Sequence, residues 1–190
     1  MQAGRPHHNN SNGPAANDGS GRAVGENRKC GNRVTVVINI SDAKTSADPQ
    51  AVLATYSLGS CIAVSVYDPV RRVGGMLHYQ LPTSTLDPEK ARQRPAMFAD
   101  SGMELLLQEL NALGADKRRL KVTVAGAAQM LNDAGLFNIG KRNHAAIRKI
   151  LWQHGLFIEA EDVGGTAPRN LYLNIADGAA TIKVSGKAAA

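Results

Sequence analysis

The sequence predicts the α/β class: a single layered α/β sandwich domain with a mixed β-sheet over residues 33–186, preceded by a disordered tail over residues 1–32. Three observations carry this expectation. The chain has 190 residues, 43% of them hydrophobic. One sizeable core can form without disulfides or a structural metal, and two full-sized domains do not fit. β-branched runs and two stretches of helical periodicity follow one another as strands, helix, strand, helix, strands, which is a layered domain rather than a regular βαβ winding. Residues 1–32 are rich in Gly, Asn, Pro and Ala and poor in aliphatics, so they cannot bury enough surface to offset their ordering entropy.

The first strand is expected over Arg33–Ile40, RVTVVINI, where β-branched residues dominate. Ser41–Gln50 is polar, contains Pro49 and reads as a loop. Ala51–Tyr56 reads as a second strand, followed by the turn-like SLGS, and Cys61–Tyr67 as a third. Asp68-Pro69 marks a turn, after which Val73–Gln80 resumes as a strand ending at Leu81-Pro82. The proline-punctuated stretch Thr83–Arg94 reads as an exposed loop. From Ala96 to Leu113, apolar residues at Met97, Phe98, Met103, Leu106, Leu107, Leu110 and Leu113 describe one buried helical stripe, with Gly114 as its stop. Leu120–Ala125 is another strand, and Ile139–His154 a second helix ended by Gly155. Leu156–Val163, Asn170–Ile175 and Ala180–Val184 close the domain as strands, the last two joined by a hairpin turn at Asp177-Gly178.

Composition narrows the function. Aromatic residues are only 4%, too few for the stacking platform of a single-strand nucleic-acid binder. No run of about 18 apolar residues occurs, so membrane insertion is not expected. Met1–Ala15 is polar and lacks an apolar h-region, which reads as a cytoplasmic protein. A net charge of +6 favours anionic partners without naming them. Lys117, Arg118, Arg119 and Lys121 form the densest basic cluster and read as a solvated strand entrance rather than a nucleic-acid footprint.

Two cysteines, Cys30 and Cys61, do not make a disulfide framework. No metal-type spacing occurs, and no metal or cofactor is expected. Gly135 to Lys141 begins like a P-loop, but Arg142 stands where Ser or Thr would hold magnesium.

The densest chemical signal lies between Thr55 and Pro82. Cys61 follows Leu58-Gly59-Ser60, where a sharp turn leaves backbone N–H groups open. Such groups favour a thiolate and can hold a developing oxyanion. A hairpin folding back at Asp68-Pro69 brings His78 towards Cys61. A Cys–His pair is the minimal unit for nucleophilic attack on a carbonyl, and Thr55 could orient the imidazole. Spacing alone leaves two readings open. A cysteine in a β-rich run also serves as a small buried hydrophobe, and a strand histidine as a structural one.

The segment LGSCIAVSVYDPVRRVGGMLHYQLP resembles the hallmark of the CheD family of chemoreceptor glutamine deamidases. The likeness continues in FADSGMELLLQELNALGA, in AGAAQM and in NIGKRNHAAIRKILWQHGLFIEAEDVGGTAPRNLYLN. It spans Val34 to Val184. The ordered combination of GSC, GGMxH, IGxRN and DVGGxxxR makes it specific. In Val124–Met130, alanines stand where the family usually has a glycine pair.

The resemblance implies the layered fold of certain cysteine-dependent bacterial deamidating toxins. It implies a protein-glutamine glutaminase with Cys61 as nucleophile, His78 as general base and Thr55 as the residue orienting the ring, with backbone support at Gly59 and Ser60. The implied substrate is a glutamine on the cytoplasmic helical region of a methyl-accepting chemotaxis receptor. Methyl-ester hydrolysis and, in some lineages, a complex with a CheC-type phosphatase are implied as well. The competing reading is a non-catalytic chemotaxis adaptor that binds receptors or such a phosphatase.

Overall fold

The structure, a computed structural model, describes residues 33–129 and 138–185. The expected tail over 1–32, with Cys30, lies outside the described residues, as does the first part of the P-loop-like stretch. Nine strands form two sheets among the described residues: β1 (Val34–Val37), β3 (Ala51–Leu58), β8 (Arg169–Asn174) and β9 (Ala180–Val184) make one, in the order β1-β3-β8-β9. The second has the order β2-β5-β4-β6-β7, from β2 (Asp42–Ser46), β4 (Ile62–Asp68), β5 (Val73–Tyr79), β6 (Lys121–Gly126) and β7 (Ile158–Val163). β1 runs parallel to β3, and β6 to β7, while every other pairing is antiparallel. Both sheets are therefore mixed, within the layered α/β class that the sequence predicts.

The period-two alternation of β4 and β5 explains the layering. Ile62, Val64 and Val66 of β4, with Leu77 and Tyr79 of β5, share one core with Met103, Leu106 and Leu110 of α2 (Ala99–Ala112) and Ile147 and Leu151 of α3 (Ile139–Gln153). Ala63 and Tyr67 of β4 and Met76 of β5 face a second core shared with Leu53, Leu58, Leu171 and Leu173 of the other sheet. β4 and β5 are buried at every position. They form the middle layer, with helices on one side and the four-stranded sheet on the other.

Three expectations need correction. Ser41–Gln50 is not all loop. It contains β2, which pairs with β5 from Asp42 opposite His78 to Ser46 opposite Gly74. Its sequence, DAKTS, is polar because β2 is an edge strand, half-exposed throughout, so no apolar face marks it. Thr83–Arg94 is not all loop either. Asp87 caps a short helix, α1 (Pro88–Gln93), by accepting from the Lys90 N–H, and Pro88 takes the first helical position, where its missing N–H costs nothing. The helix expected from Ala96 starts at Ala99, because Pro95–Met97 form a separate 3-10 turn.

The basic cluster is more than a solvated entrance. Arg119 ion-pairs at 2.8 Å with Asp68, whose side chain is sealed from solvent. Burial raises the Asp68 pKa, but the Arg119 guanidinium and the N–H groups of Asp116, Arg71 and Val70 outweigh it and hold the carboxyl well below the usual range.

Candidate active site

β3 and β5 each project one polar residue into the gap between the sheets. Thr55 and His78 are both buried, at 1% and 6% exposure. Thr55 Oγ1 donates to the Ile38 carbonyl at 2.8 Å and lies 2.9 Å from His78 Nδ1. A hydroxyl has one proton. With that proton given to Ile38, Thr55 presents a lone pair to the ring, so we assign the hydrogen to Nδ1 and leave Nε2 with a free lone pair. Nε2 is sealed from solvent and has no hydrogen-bond partner among the described residues. Burial lowers the His78 pKa to about 4, against the opposing pulls of the Ile38 carbonyl and of Asp42, its cross-strand neighbour on β2. The ring is therefore a neutral imidazole at neutral pH, oriented by Thr55.

Cys61 sits in the bend between β3 and β4, half-buried and with a free thiol. The β4–β5 register places Ala63 opposite His78 and Ile62 opposite Tyr79, so Cys61 lies two residues from the cross-strand partner of His78. The thiol and Nε2 do not hydrogen-bond to each other here. Catalytic hydrogen bonds are often loose before substrate binds. Burial pushes the Cys61 pKa up, and the favourable contact with its own backbone N–H only partly offsets this. The open N–H groups alone suggest a favoured thiolate; desolvation outweighs them, and the resting pair is thiol and imidazole.

The turn that bears Cys61 is held at three successive carbonyls. Gly59 O accepts from Ala128 N at 2.8 Å, and Cys61 O from Ala127 N at 2.9 Å. Between them, Ser60 O accepts from Asn143 Nδ2 at 3.0 Å. The segment leaving β6 can approach so closely because residue 126 is glycine. Its φ is +121°, and a Cβ there would overlap the Cys61 carbonyl oxygen. Tyr79, on the helix side of β5, donates from its hydroxyl to Asn143 O at 2.8 Å. Burial, and next the nearby Cys61 sulfur, keep the Tyr79 phenol pKa well above its usual value.

Of the residues expected from sequence, Thr55 and His78 are in direct contact, and Gly59, Ser60 and Cys61 form the adjoining turn. Sequence reasoning gave no role to Asn143, Gly126 or Tyr79, although Asn143 closes the IGxRN motif of the resemblance. One signal for Asn143 was present: it lies four residues before Ile147, on the buried face of α3 with Ile147, Ile150 and Leu151. A polar residue in an apolar stripe usually has a partner to meet.

Comparison with known proteins places these residues in context. A family model described as CheD chemotactic sensory transduction matches residues 80–184, starting just past His78. A Solibacter usitatus (strain Ellin6076) protein named as a probable chemoreceptor glutamine deamidase CheD is 45% identical over 152 residues, covering 80% of this chain and 90% of the relative. A Syntrophus aciditrophicus (strain SB) protein of the same designation, CheD 1, is 45% identical over 151 residues, covering 80% of this chain and 94% of its own length. Among solved structures, the Bacillus licheniformis hypothetical protein YfiH aligns over 63% of this chain and 49% of its own, at 15% identity and a TM-score of 0.40. A likeness that slight carries no argument.

Proposed function

The chain belongs to the CheD family, and from that premise we propose that it is a protein-glutamine deamidase acting on chemoreceptors. The observation that carries this reading is the Thr55–His78 couple, with Nε2 of a neutral imidazole unpartnered among the described residues and Cys61 two residues from the cross-strand partner of His78. A proton acceptor held in one orientation by Thr55 is what the enzyme reading requires and the adaptor reading does not.

The resting thiol loses its proton as it reacts. His78 Nε2 takes the proton from Cys61 while Sγ attacks the amide carbon of the substrate glutamine, and the carbonyl electron pair moves onto oxygen. The backbone N–H groups of the 59–61 turn stabilise that oxyanion. Collapse of the tetrahedral intermediate breaks the C–N bond, and His78 passes its proton to the departing nitrogen, which leaves as ammonia. Water then gives a proton to Nε2 and adds to the thioester. The C–S bond breaks, Cys61 recovers its proton from His78, and glutamate remains.

The substrate lies on the cytoplasmic helical region of the receptor, so the enzyme works from the cytoplasm. No helix among the described residues is long and apolar enough to cross a membrane. The net charge of +6 assists encounter with Glu-rich receptor helices, and a CheC-type phosphatase is a second partner of the same face. The test is ammonia release on mixing the protein with a receptor cytoplasmic fragment. Release above the rate of the fragment alone is expected, and its absence would count against the reading.

A further inference from the structure

We propose that Asn143 is a positioning residue that aims the oxyanion-holding N–H of Cys61. The proposal rests on the deamidase reading above and adds to it a residue outside the Cys–His–Thr set.

A trans peptide is planar, with its C=O and N–H pointing in opposite directions. Whatever grips the Ser60 carbonyl therefore also sets the direction of the Cys61 N–H. That grip is Asn143 Nδ2, at 3.0 Å from Ser60 O. The Cys61 N–H belongs to the residue whose sulfur adds to the carbonyl, so its direction decides whether it meets the oxyanion formed there. The carbonyls on either side, Gly59 O and Cys61 O, are held by the backbone N–H groups of Ala128 and Ala127. Asn143 is the one side chain among the three clamps, so the nucleophile's own peptide plane depends on it.

Asn143 is well placed for this work. It is fully buried. Its second amide hydrogen goes to Gln80 O at 2.7 Å, two residues beyond His78, and its own carbonyl takes the Tyr79 hydroxyl. Both carbonyl partners demand the NH2 side of the amide, because a flipped amide would set Oδ1 against two oxygens. Oδ1 is consequently buried with no partner among the described residues. A residue that only filled α3's apolar stripe would not direct both amide hydrogens at carbonyls of two other segments. His78, by contrast, is located without Asn143, by ladder pairing on both sides and by Thr55.

The experiment compares Asn143→Ala with wild type on a receptor cytoplasmic fragment, together with iodoacetamide alkylation of Cys61. Alkylation displaces iodide at a CH2 carbon and generates no oxyanion. We expect kcat to fall roughly 10- to 100-fold with KM unchanged, while the alkylation rate stays at the wild-type level. Should Asn143→Ala not fold, Asn143→Leu carries the same test, since it fills a similar buried volume and donates to neither carbonyl. Wild-type kcat in the variant overturns the proposal. So does a parallel fall of kcat and alkylation, which would make Asn143 a brace for the turn and nothing more. If wild type itself releases no ammonia, the deamidase reading fails separately. The clamp is then judged by the Cys61 amide resonance in 15N–1H spectra, which Asn143→Ala must shift, and an unmoved resonance sinks it.

Discussion

Replacing Thr55 by valine keeps the shape of the side chain and removes only the hydroxyl. That hydroxyl makes two contacts in a dry gap, 2.8 Å to Ile38 O and 2.9 Å to His78 Nδ1. Both residues are at least nine-tenths buried, so no water replaces it. Leaving one buried polar group unpaired costs about 1–3 kcal/mol. The Ile38 carbonyl also lies near enough to favour the protonated ring and regains part of the Nδ1 hydrogen bond, so the two groups left by Thr55 together lose about one group's worth of pairing. For a folded part of this size, that cost lowers Tm by roughly 3–10 °C. The ring also loses the contact that aims it, so kcat on a receptor fragment should fall about 10- to 100-fold with KM unchanged. Thr55→Ser, which keeps the hydroxyl, should restore most of both losses. Differential scanning calorimetry and steady-state ammonia release measure the two quantities. Thr55→Val with wild-type Tm and wild-type kcat would refute the reasoning about this contact.

Other outcomes follow from the same geometry. Because burial raises the Cys61 pKa and lowers that of His78 to about 4, iodoacetamide alkylation of Cys61 should keep rising above pH 9, and a plateau near neutral pH would mean a preformed ion pair instead. The folded-state pKa of His78 lies below its unfolded value of 6.5, so its contribution to stability is fully present above pH 6.5 and is lost as pH falls towards 4. The loss should reach about 3 kcal/mol in urea titrations, and His78→Gln should flatten that window; an unchanged pH profile in the variant would contradict the assignment. Gly126→Ala should cost turnover more than tenfold, because the new methyl displaces the Cys61 carbonyl, and an active, undisturbed variant would show that the close approach is not needed.

Much of the fold was legible because the middle layer is strongly patterned. β4 and β5 announce themselves as apolar β-rich runs, and α2 and α3 as helical stripes. β2 was not legible, since an edge strand half-open to solvent needs no apolar face. α1 was hidden among prolines that read as loop punctuation, although Asp87-Pro88 is a cap and a first helical residue. The division into two sheets depends on long-range pairing of β3 with β8, which local pattern does not encode. At the site, chemistry and spacing raised Cys61 and His78 only as one of two open readings, and the roles expected of Cys61, His78 and Thr55 came through the family resemblance. The role proposed for Asn143 was not legible, although the residue closes the IGxRN motif, because that role consists of hydrogen bonds to carbonyls contributed by distant segments. The protonation of the pair was also beyond the sequence. Open N–H groups suggested a thiolate, and only the burial seen in the fold reverses that balance.

The central claim is conversion of a receptor glutamine to glutamate through Cys61. Peptide mass spectrometry of a receptor cytoplasmic fragment, incubated with wild type and with Cys61→Ala, tests it most directly. The account predicts the gain of roughly 1 Da that accompanies replacement of an amide NH2 by OH, at one or a few glutamines, in the wild-type reaction and not in the Cys61→Ala reaction. Equal gains with both proteins, or none with either, would contradict it.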